Sequence, residues 1–334
     1  MAAVLPVQRS RQFQITYEPE GSFGTPVLPT THTITWADAV LGDNFLKKPV
    51  FSDIPIGFSQ PITVTYGPKA PQFSMPFQSI GGSFWNFLLG PDFTGTADED
   101  IDGAAVGYTC FKHRIPTTQP YRGSSCNVDI ARVTGVANDE IYRVQGAVLN
   151  EATITIQKDQ FWQIESTILA QDVNLVSAAR SGNWAVSLEE RINGWYTSLL
   201  LDESEEIGFD QLRLTVNQNL KHSNDLTGTK LSSDLKGDEG GVEVALNGTF
   251  EVHVTDYIQK AFDEEHFDSV EIRFDDGNDK KMKVLLTDCY FDAPSVTLKK
   301  GDTEIIQNMI LKPTGEDHII VNRSFPTASI IDEW

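Results

Sequence analysis

Alternation of apolar and polar residues in short runs dominates this chain and predicts a mainly β fold. The runs Leu212–Leu220 and Val242–Val254 alternate strictly, and Phe13–Tyr17 does so over a shorter length. Residues two apart in a strand share one face of a sheet, so these runs predict strands with one apolar and one polar side. Two stretches with a capping residue in front predict short helices: Phe84–Leu89 and Tyr257–Glu265.

One part of this pattern occurs twice along the chain. Residues 128–169 align without a gap with residues 270–311, and both copies contain two β-hairpin patterns in step. A chain that repeats its own supersecondary unit is best interpreted as a duplicated module. The identical pairs are Val128/Val270, Ile130/Ile272, Gly135/Gly277, Thr155/Thr297, Lys158/Lys300, Ile164/Ile306, Ile168/Ile310 and Leu169/Leu311.

The predicted architecture is mainly β with a minor helical part: two tandem antiparallel β-sandwich or half-barrel modules, each with a short helix. Residues 1–177 form the first module, with an N-terminal arm and a loop insertion at 91–125. Residues 178–334 form the second module and end in a C-terminal strand. At the junction, Trp184, Trp195 and Leu199–Leu201 are expected to be apolar anchors. A length of 334 residues suits two domains of ordinary size.

The charge balance limits the kinds of partner that the protein can bind. The chain has 26 basic and 47 acidic residues, a formal net charge of −21. Proteins that grip nucleic acid need clustered basic residues, and the sequence has no such cluster. Two interpretations stay open: the charge serves solubility, or it forms a surface that lies close to DNA without binding it.

Cysteine count and hydropathy exclude further classes. Three cysteines at Cys110, Cys126 and Cys289 predict buried thiols in a reducing compartment rather than disulfides or a metal site. No run approaches the ~18 consecutive apolar residues of a membrane-spanning helix, so no membrane partner is expected.

Motifs for catalysis or cofactor binding are missing from the sequence: it has no Walker A loop, HExxH, GxSxG or CxxC, and its six histidines are scattered. The run Asp98-x-Asp100-x-Asp102-Gly103 is similar to the start of a calcium loop. The twelfth position, where a bidentate Glu is needed, is Thr109, so we interpret the run as a solvated acidic loop. We therefore predict no catalytic residue, no cofactor site and no metal site, and hence no enzyme.

The polar sides of the predicted strands carry Thr, Asn, Gln and Glu, with almost no lysine. An ordinary solvated sheet would also show such a pattern. The residue pattern alone leaves open whether these sides have a function.

Three stretches together resemble the tail tube proteins of long-tailed (siphovirus-type) bacteriophages. Tyr17–Pro26 resembles the family's opening E-x-x-(Y/F)-G-T-x-P segment, and Leu212–Leu220 resembles its strand ending in N-x-L. Gly241–Val254, with Gly-Thr-Phe inside it, resembles the V-x-G-(T/S) strand that leads to a capped helix. The first half departs from the pattern, because Gln72–Pro76 stands where a strand with Gly-Thr or Gly-Ser is expected.

The resemblance implies a structural virion protein, the major tail tube subunit with a duplicated tube domain. Its rings, β-barrels formed on oligomerisation, would stack into a tube that conducts double-stranded DNA from capsid to host. Two modules per chain imply homotrimeric, pseudo-hexameric rings. Residues expected to face the lumen are Glu151, Thr153, Thr155, Glu165, Arg213, Thr215, Asn217, Glu243, Asn247, Thr249 and Glu251.

The resemblance also implies partners and location. These are further copies of the chain, the tape measure, terminator and distal tail proteins, and DNA that passes without sticking. The chain would be made in the bacterial host cytoplasm and end in the virion tail. Alternatives are another tail ring component, such as a terminator or baseplate hub, or a non-viral β-sandwich binding module. Clustered exposed aromatics would favour the binding module, and the six tryptophans are spread along the sequence.

Overall fold

The computed structural model describes most of the chain, with gaps. The described residues are 13–28, 32–34, 40–41, 49–51, 64–66, 71–74, 82–90, 95–117, 121–132, 139–178, 192–202, 205–223, 234–237, 241–252, 263, 265–277, 280–292, 295–297, 305–315 and 317–326.

Antiparallel strands make up most of the described structure, which confirms the predicted mainly β fold. The first half contains β1 (Phe13–Pro19), β2 (His32–Ile34), β3 (Val40–Leu41), β4 (Pro49–Phe51), β5 (Val64–Tyr66), β6 (Gln72–Ser74), α1 (Gly82–Leu88), β7 (Thr96–Asp100), β8 (Gly103–Arg114), β9 (Cys126–Arg132), β10 (Asp139–Gln157), β11 (Gln163–Leu169) and β12 (Asp172–Ala178). The second half contains a 3-10 turn (Gly194–Tyr196), β13 (Thr197–Leu201), β14 (Glu205–Asn217), β15 (Lys221–Ser223), β16 (Asp234–Lys236), β17 (Glu243–Val252), β18 (Phe267–Asp275), β19 (Lys281–Phe291), β20 (Ser295–Thr297), β21 (Ile305–Lys312) and β22 (Ile319–Pro326).

Both halves contain four neighbouring antiparallel strands in the same order. The order is β1, β9, β10, β12 in the first half and β13, β18, β19, β22 in the second. The hairpin registers also agree: Val128 lies opposite Val144, and the corresponding Val270 lies opposite Leu286. The repeated sequence therefore folds into a repeated arrangement of strands. The boundary between residues 177 and 178 stays a prediction.

A second, longer sheet runs through both halves. Its strand order is β3, β6, β11, β10, β14, β17, β21, β20, all antiparallel. Strand β10 serves both sheets because a β-bulge bends it between Val144 and Ala147. Gly146 lies in this bulge with φ +59°, a conformation that favours glycine. We call this sheet the long sheet.

The gapless alignment of the repeat is wrong by one residue at its end. Ile154 lies opposite Ile164, but Val296 lies opposite Gln307 rather than Ile306. Burial explains the slip, because a shift of one residue moves every side chain of a strand to the other face. Leu311, and not Ile310, is the fully buried residue near the end of β21, where it corresponds to Ile168.

The predicted helix after Ser83 exists as α1, which begins one residue before Ser83 and ends at Leu88. Its aromatic residues Phe84, Trp85 and Phe87 are buried, and Phe87 packs edge-on against Tyr17 at 5.2 Å between ring centroids. The second predicted helix, Tyr257–Glu265, lies almost entirely outside the described residues. No described helix has the length and apolar character to span a membrane.

Inside the expected insertion at 91–125, the acidic stretch that the sequence predicts as a solvated loop is part of a β-hairpin. Strands β7 and β8 form a hairpin there, and β8 pairs with β22 of the second half, Phe111 opposite Arg323. The acidic sequence of β7 does not itself favour a strand. It becomes one because its partners come from elsewhere: the Asp100 carboxylate lies 3.4 Å from Lys281 Nζ, and the Asp102 carboxylate lies 3.2 Å from Arg273 Nη1.

Candidate functional site

One surface of the long sheet is mostly polar across β6, β11, β10, β14 and β17, and beyond Asn247 the half-buried Ile310 follows on β21. Cross-strand neighbours on it form rows: Glu165, Thr153, Thr215 and Ala245 make one, and Gln163, Thr155, Arg213 and Asn247 make the next. A third row is Ser74, Thr167, Glu151, Asn217 and Glu243. We call this surface the polar face, and its predicted members are Glu151, Thr153, Thr155, Glu165, Arg213, Thr215, Asn217, Glu243, Asn247 and Thr249, all half-buried or exposed.

Ten of the eleven residues that the sequence predicts as lumen-facing thus lie together on one surface. The eleventh, Glu251, belongs to β17, where its backbone lies opposite Gly208 and Ile306, but its side chain is outside the described part. The shared surface is an observation. That it faces a lumen stays a prediction.

The opposite side of the long sheet is sealed by apolar packing. The central row there is Ile164, Ile154, Leu214, Leu246 and Leu311, and each of them is at most 1 % exposed. Because the side chains of a strand alternate between faces, this buried row fixes which residues form the polar face. A one-residue slip of these strands would exchange the two faces and expose the buried apolar side chains.

The charges on the polar face are spaced apart. Glu165 lies opposite Thr153, and Glu151 lies between Thr167 and Asn217. Glu243 lies one strand beyond Asn217, so no two of these glutamates are direct cross-strand neighbours. Like charges directly opposite each other would destabilise the sheet. The face is therefore acidic without a concentrated cluster.

Sequence reasoning missed one cation at this surface. Lys312 follows the buried Leu311 and lies opposite the exposed Tyr290. Its ammonium group lies 2.6 Å from the Asp292 carboxylate, and this hydrogen bond raises the pKa of Lys312. The gapless alignment concealed the position, because only the one-residue slip of β21 places Lys312 on this side. The pairing with Asp292 offsets its charge locally.

A buried amide fixes the junction of the two halves at one end of the face. Gln218 is 1 % exposed and follows β14 directly. Its side-chain nitrogen donates to the carbonyl oxygens of Leu88 (2.6 Å) and Leu149 (2.8 Å), and its oxygen accepts from the Gly123 N–H (3.1 Å). Leu88 ends α1, so Gln218 satisfies a carbonyl that the helix leaves without an internal partner. Helix, sheet and loop are thereby held in one arrangement.

The acidic motif that is similar to a calcium loop forms a hairpin tip with other partners. The Asp102 N–H donates to the Asp100 side chain at 2.8 Å, and the Gly107 N–H donates to the Asp98 side chain at 3.0 Å. The Asp102 carboxylate also lies 3.6 Å from Lys283 Nζ. Among the described residues, no group of three or more His, Cys, Asp or Glu side chains could hold a metal ion.

Three exposed aromatic residues gather at one end of the long sheet. Phe161 forms a bridge with Asn193, and Trp195 and Tyr196 follow two and three residues later. Trp195 is 67 % exposed, so its predicted role as an apolar anchor is wrong, whereas Leu199 and Leu201 are buried. Chain spacing could not reveal this cluster, because β11 and the turn before β13 meet only in the folded chain. Trp184 lies outside the described residues.

The three cysteines are free and buried, as the sequence predicts. Burial raises the pKa of the Cys289 thiol to about 12 and that of Cys126 well above its usual value. The unfolded state ionises first, so the contribution of these thiols to stability is present below about pH 9 and is lost as the pH rises towards the folded pKa.

We expect all three thiols to resist alkylation at pH 8 in the native protein, because the reactive thiolate is scarce and shielded. Mass spectrometry after iodoacetamide treatment measures this. The same treatment in guanidinium chloride should label all three, and rapid native labelling of Cys289 would contradict the assignment.

These features define the structural class of the protein. It is an antiparallel β protein with a repeated unit, and its long sheet has one buried apolar side and one polar side. The family model described as phage tail tube protein matches residues 7–325. The chain therefore belongs to the phage tail tube protein family, as its resemblance implied. A search of the curated proteins found no match. The protein is accordingly a structural component of a bacteriophage tail.

Proposed function

We propose that three copies of this chain close into a ring, that rings stack into the tail tube, and that the polar face lines the channel for double-stranded DNA. The observation that carries the proposal is the continuous polar face of the long sheet, in a member of the tail tube family. In the described part of the chain the sheet has eight strands and ends in two short edge strands, β3 and β20. Such edges can pair with another chain.

Barrel geometry favours three chains. Strands about 4.8 Å apart and tilted by about 40°, with eight strands per chain, give a backbone radius of roughly 24 Å for three chains and roughly 16 Å for two. Side chains that project inwards would narrow the smaller ring to about the width of the duplex itself. Three chains leave room for hydrated DNA, and the doubled unit then gives the ring pseudo-sixfold symmetry.

The charge of the polar face suits a channel. DNA carries one negative charge per about 1.7 Å of its axis, so a basic wall would hold it by releasing counterions. Glu151, Glu165 and Glu243 instead repel it weakly along the wall. Arg213 lies between Thr155 and Asn247, and Asp292 neutralises Lys312, so few cations are free to trap a phosphate.

The proposed partners follow from the same assembly. Rings stacked head to tail form a heterologous contact that propagates without closing. The ends of the tube would meet the terminator and distal tail proteins, its lumen would hold the tape measure protein, and the chain would be made in the bacterial cytoplasm. Negative-stain microscopy of the concentrated protein tests this: long tubes support a tube subunit, and single rings that never stack indicate a terminator or hub component.

Replacing Glu151, Glu165 and Glu243 together by lysine is expected to slow genome release several-fold while tubes still assemble. These side chains lie on the polar face, so the buried core stays unchanged, and each lysine adds a phosphate contact inside the channel. Dye-detected DNA release from virions measures the rate. Raised salt should restore much of it, because screening weakens these contacts.

Two matched controls accompany this variant. Glutamine at the same three positions removes charge without adding attraction, and Glu99→Lys adds a positive charge on β7, away from the polar face. Both should release DNA at nearly the wild-type rate. Unchanged kinetics in tubes that carry the three lysines would refute the assignment of the polar face to the channel.

A further inference from the structure

The junction between the two halves is itself a strand pair. Strand β10 of the first half lies beside β14 of the second, with Thr155 opposite Arg213 and Ile154 opposite Leu214. Thr153 and Thr215 face each other across it, with their hydroxyl oxygens 3.4 Å apart. On the sealed side, Ile154 and Leu214 are almost fully buried. This internal junction joins the polar face into one surface.

The last strand of the long sheet, β20, repeats the position of β10. Ile154 lies opposite Ile164 of β11, and Val296 lies opposite Gln307 of β21, so β20 takes the place that β10 holds in the first half. It lies at the end of the long sheet, and no described strand pairs with its outer side.

The first strand of the long sheet likewise repeats the position of β14. Val40 lies opposite Ser74 of β6, and Arg213 lies opposite Asn247 of β17, so β3 takes the place that β14 holds in the second half. The strands before them agree, since Ile34 of β2 lies opposite Ile15 just as Ile207 of β14 lies opposite Leu199. The same difference in residue number separates Val40 from Arg213 and Ile34 from Ile207.

From this equivalence we infer the register of the contact between chains: β20 of one chain pairs with β3 of the next, as β10 pairs with β14 inside each chain. Thr297 then lies opposite Val40 of the second copy, as Thr155 lies opposite Arg213, and Val296 lies opposite its Leu41, as Ile154 lies opposite Leu214. The inference rests on the proposed function. The contact would continue the long sheet from one chain to the next.

The physical reason is that the pairing of β10 with β14 inside the chain already matches the apolar and polar rows of these two edges, and β20 and β3 have equivalent edges. Strand pairing shifted by one residue would put the apolar row of one unit against the polar row of the next, at the cost of burying polar groups without partners. The short β3 and β20 do not template indefinite pairing by themselves, so the contact depends on the whole unit being presented in this register.

Cysteine cross-linking of the assembled full-length protein tests the register. One variant carries Val40→Cys with Thr297→Cys, and a second carries Leu41→Cys with Val296→Cys. Mild oxidation of assembled tubes, followed by denaturing electrophoresis, is expected to give disulfide-linked species up to three chains. A slipped control, Val40→Cys with Val296→Cys, should give few, because a one-residue shift places the two thiols on opposite faces. The buried native cysteines keep the background low.

A second control calibrates the chemistry within one chain. Thr155→Cys with Arg213→Cys should form an intrachain disulfide in the same oxidation, because these positions already lie opposite each other. If tubes form and only the slipped pair links, the register is wrong while the proposed function stands. If linked species exceed three chains, the three-chain ring is wrong. If the wild-type protein forms no ring or tube at all, the proposed function fails and the inter-chain register fails with it.

Discussion

Alanine at Gly123 is expected to lower the free energy of unfolding by about 3 kcal/mol or more. A Cβ built there would lie 1.7 Å from the carbonyl oxygen of Phe87 and 2.4 Å from its carbonyl carbon. Both atoms belong to the backbone of α1, so no side chain can swing away to make room. The helix or the loop must shift, and the hydrogen bond from the Gly123 N–H to Gln218 would weaken with it.

Denaturant unfolding of the unassembled chain measures this loss, with assembly state and concentration held equal between variants. Gly21→Ala is the matched control, because a Cβ there would meet no atom within 4 Å and its backbone is not left-handed. The control should lie within about 0.5 kcal/mol of wild type. Equal stability of the two variants would mean that loop and helix do not approach as closely as described.

Leucine at Arg143 is expected to cost about 3 kcal/mol or more, because it leaves the buried Asp129 carboxylate without its cation. The guanidinium group binds both carboxylate oxygens, Nε to Oδ1 at 3.0 Å and Nη2 to Oδ2 at 2.8 Å. The side chain of Asp129 is only 3 % exposed, so water cannot replace the lost partner. The hydrogen bond to Asp129 also raises the pKa of Arg143.

The second half of the chain shows that a buried carboxylate needs a cationic partner, but that this partner need not come from the opposite strand. Glu271 occupies the place of Asp129, and Leu285 lies opposite it where Arg143 would be. The fold accepts that leucine because Arg273 of the same strand binds Glu271, with Nε 2.6 Å from the carboxylate. In the first half the corresponding position is the buried Ala131, which supplies no charge.

A double variant separates the lost pair from a general packing defect. Asp129→Leu with Arg143→Leu removes both charges and should recover most of the loss, to within about 1 kcal/mol of wild type. If the double variant is as unstable as Arg143→Leu alone, the loss comes from packing and not from the unpaired carboxylate. Thermal unfolding of both variants at one pH and salt concentration provides the comparison.

Local sequence patterns predicted much of the secondary structure, because each pattern depends only on residues that are close together in the sequence. The alternation in Leu212–Leu220 and Val242–Val254 predicted two-faced strands and thereby selected six of the ten side chains that share the polar face. Ser83 and the apolar run behind it predicted α1. These patterns agree with the folded structure, because burial of one side of a strand or helix requires that spacing of apolar residues.

Other features depended on partners that sequence spacing does not reveal. The acidic 96–100 segment is a strand because it pairs with β8, which in turn pairs with β22, and because Lys281 lies beside Asp100. Arg273 pairs with Asp102 in the turn that follows. The slip of β21, and with it the placement of Lys312, follows from which apolar side chain fits the core. Trp195 looked like an anchor by composition, yet the turn before β13 leaves it exposed beside Phe161.

By itself, the sequence determined a duplicated, mainly β chain with strands that have one apolar and one polar side, since periodicity and repetition are properties of the residues in order. Only the tertiary structure decided that the two halves share one long sheet, joined at β10 and β14, and that this joins their polar sides into a single face. Which strand edges meet depends on the register of residues about sixty positions apart, and that register is set by core packing and buried hydrogen bonds rather than by local pattern.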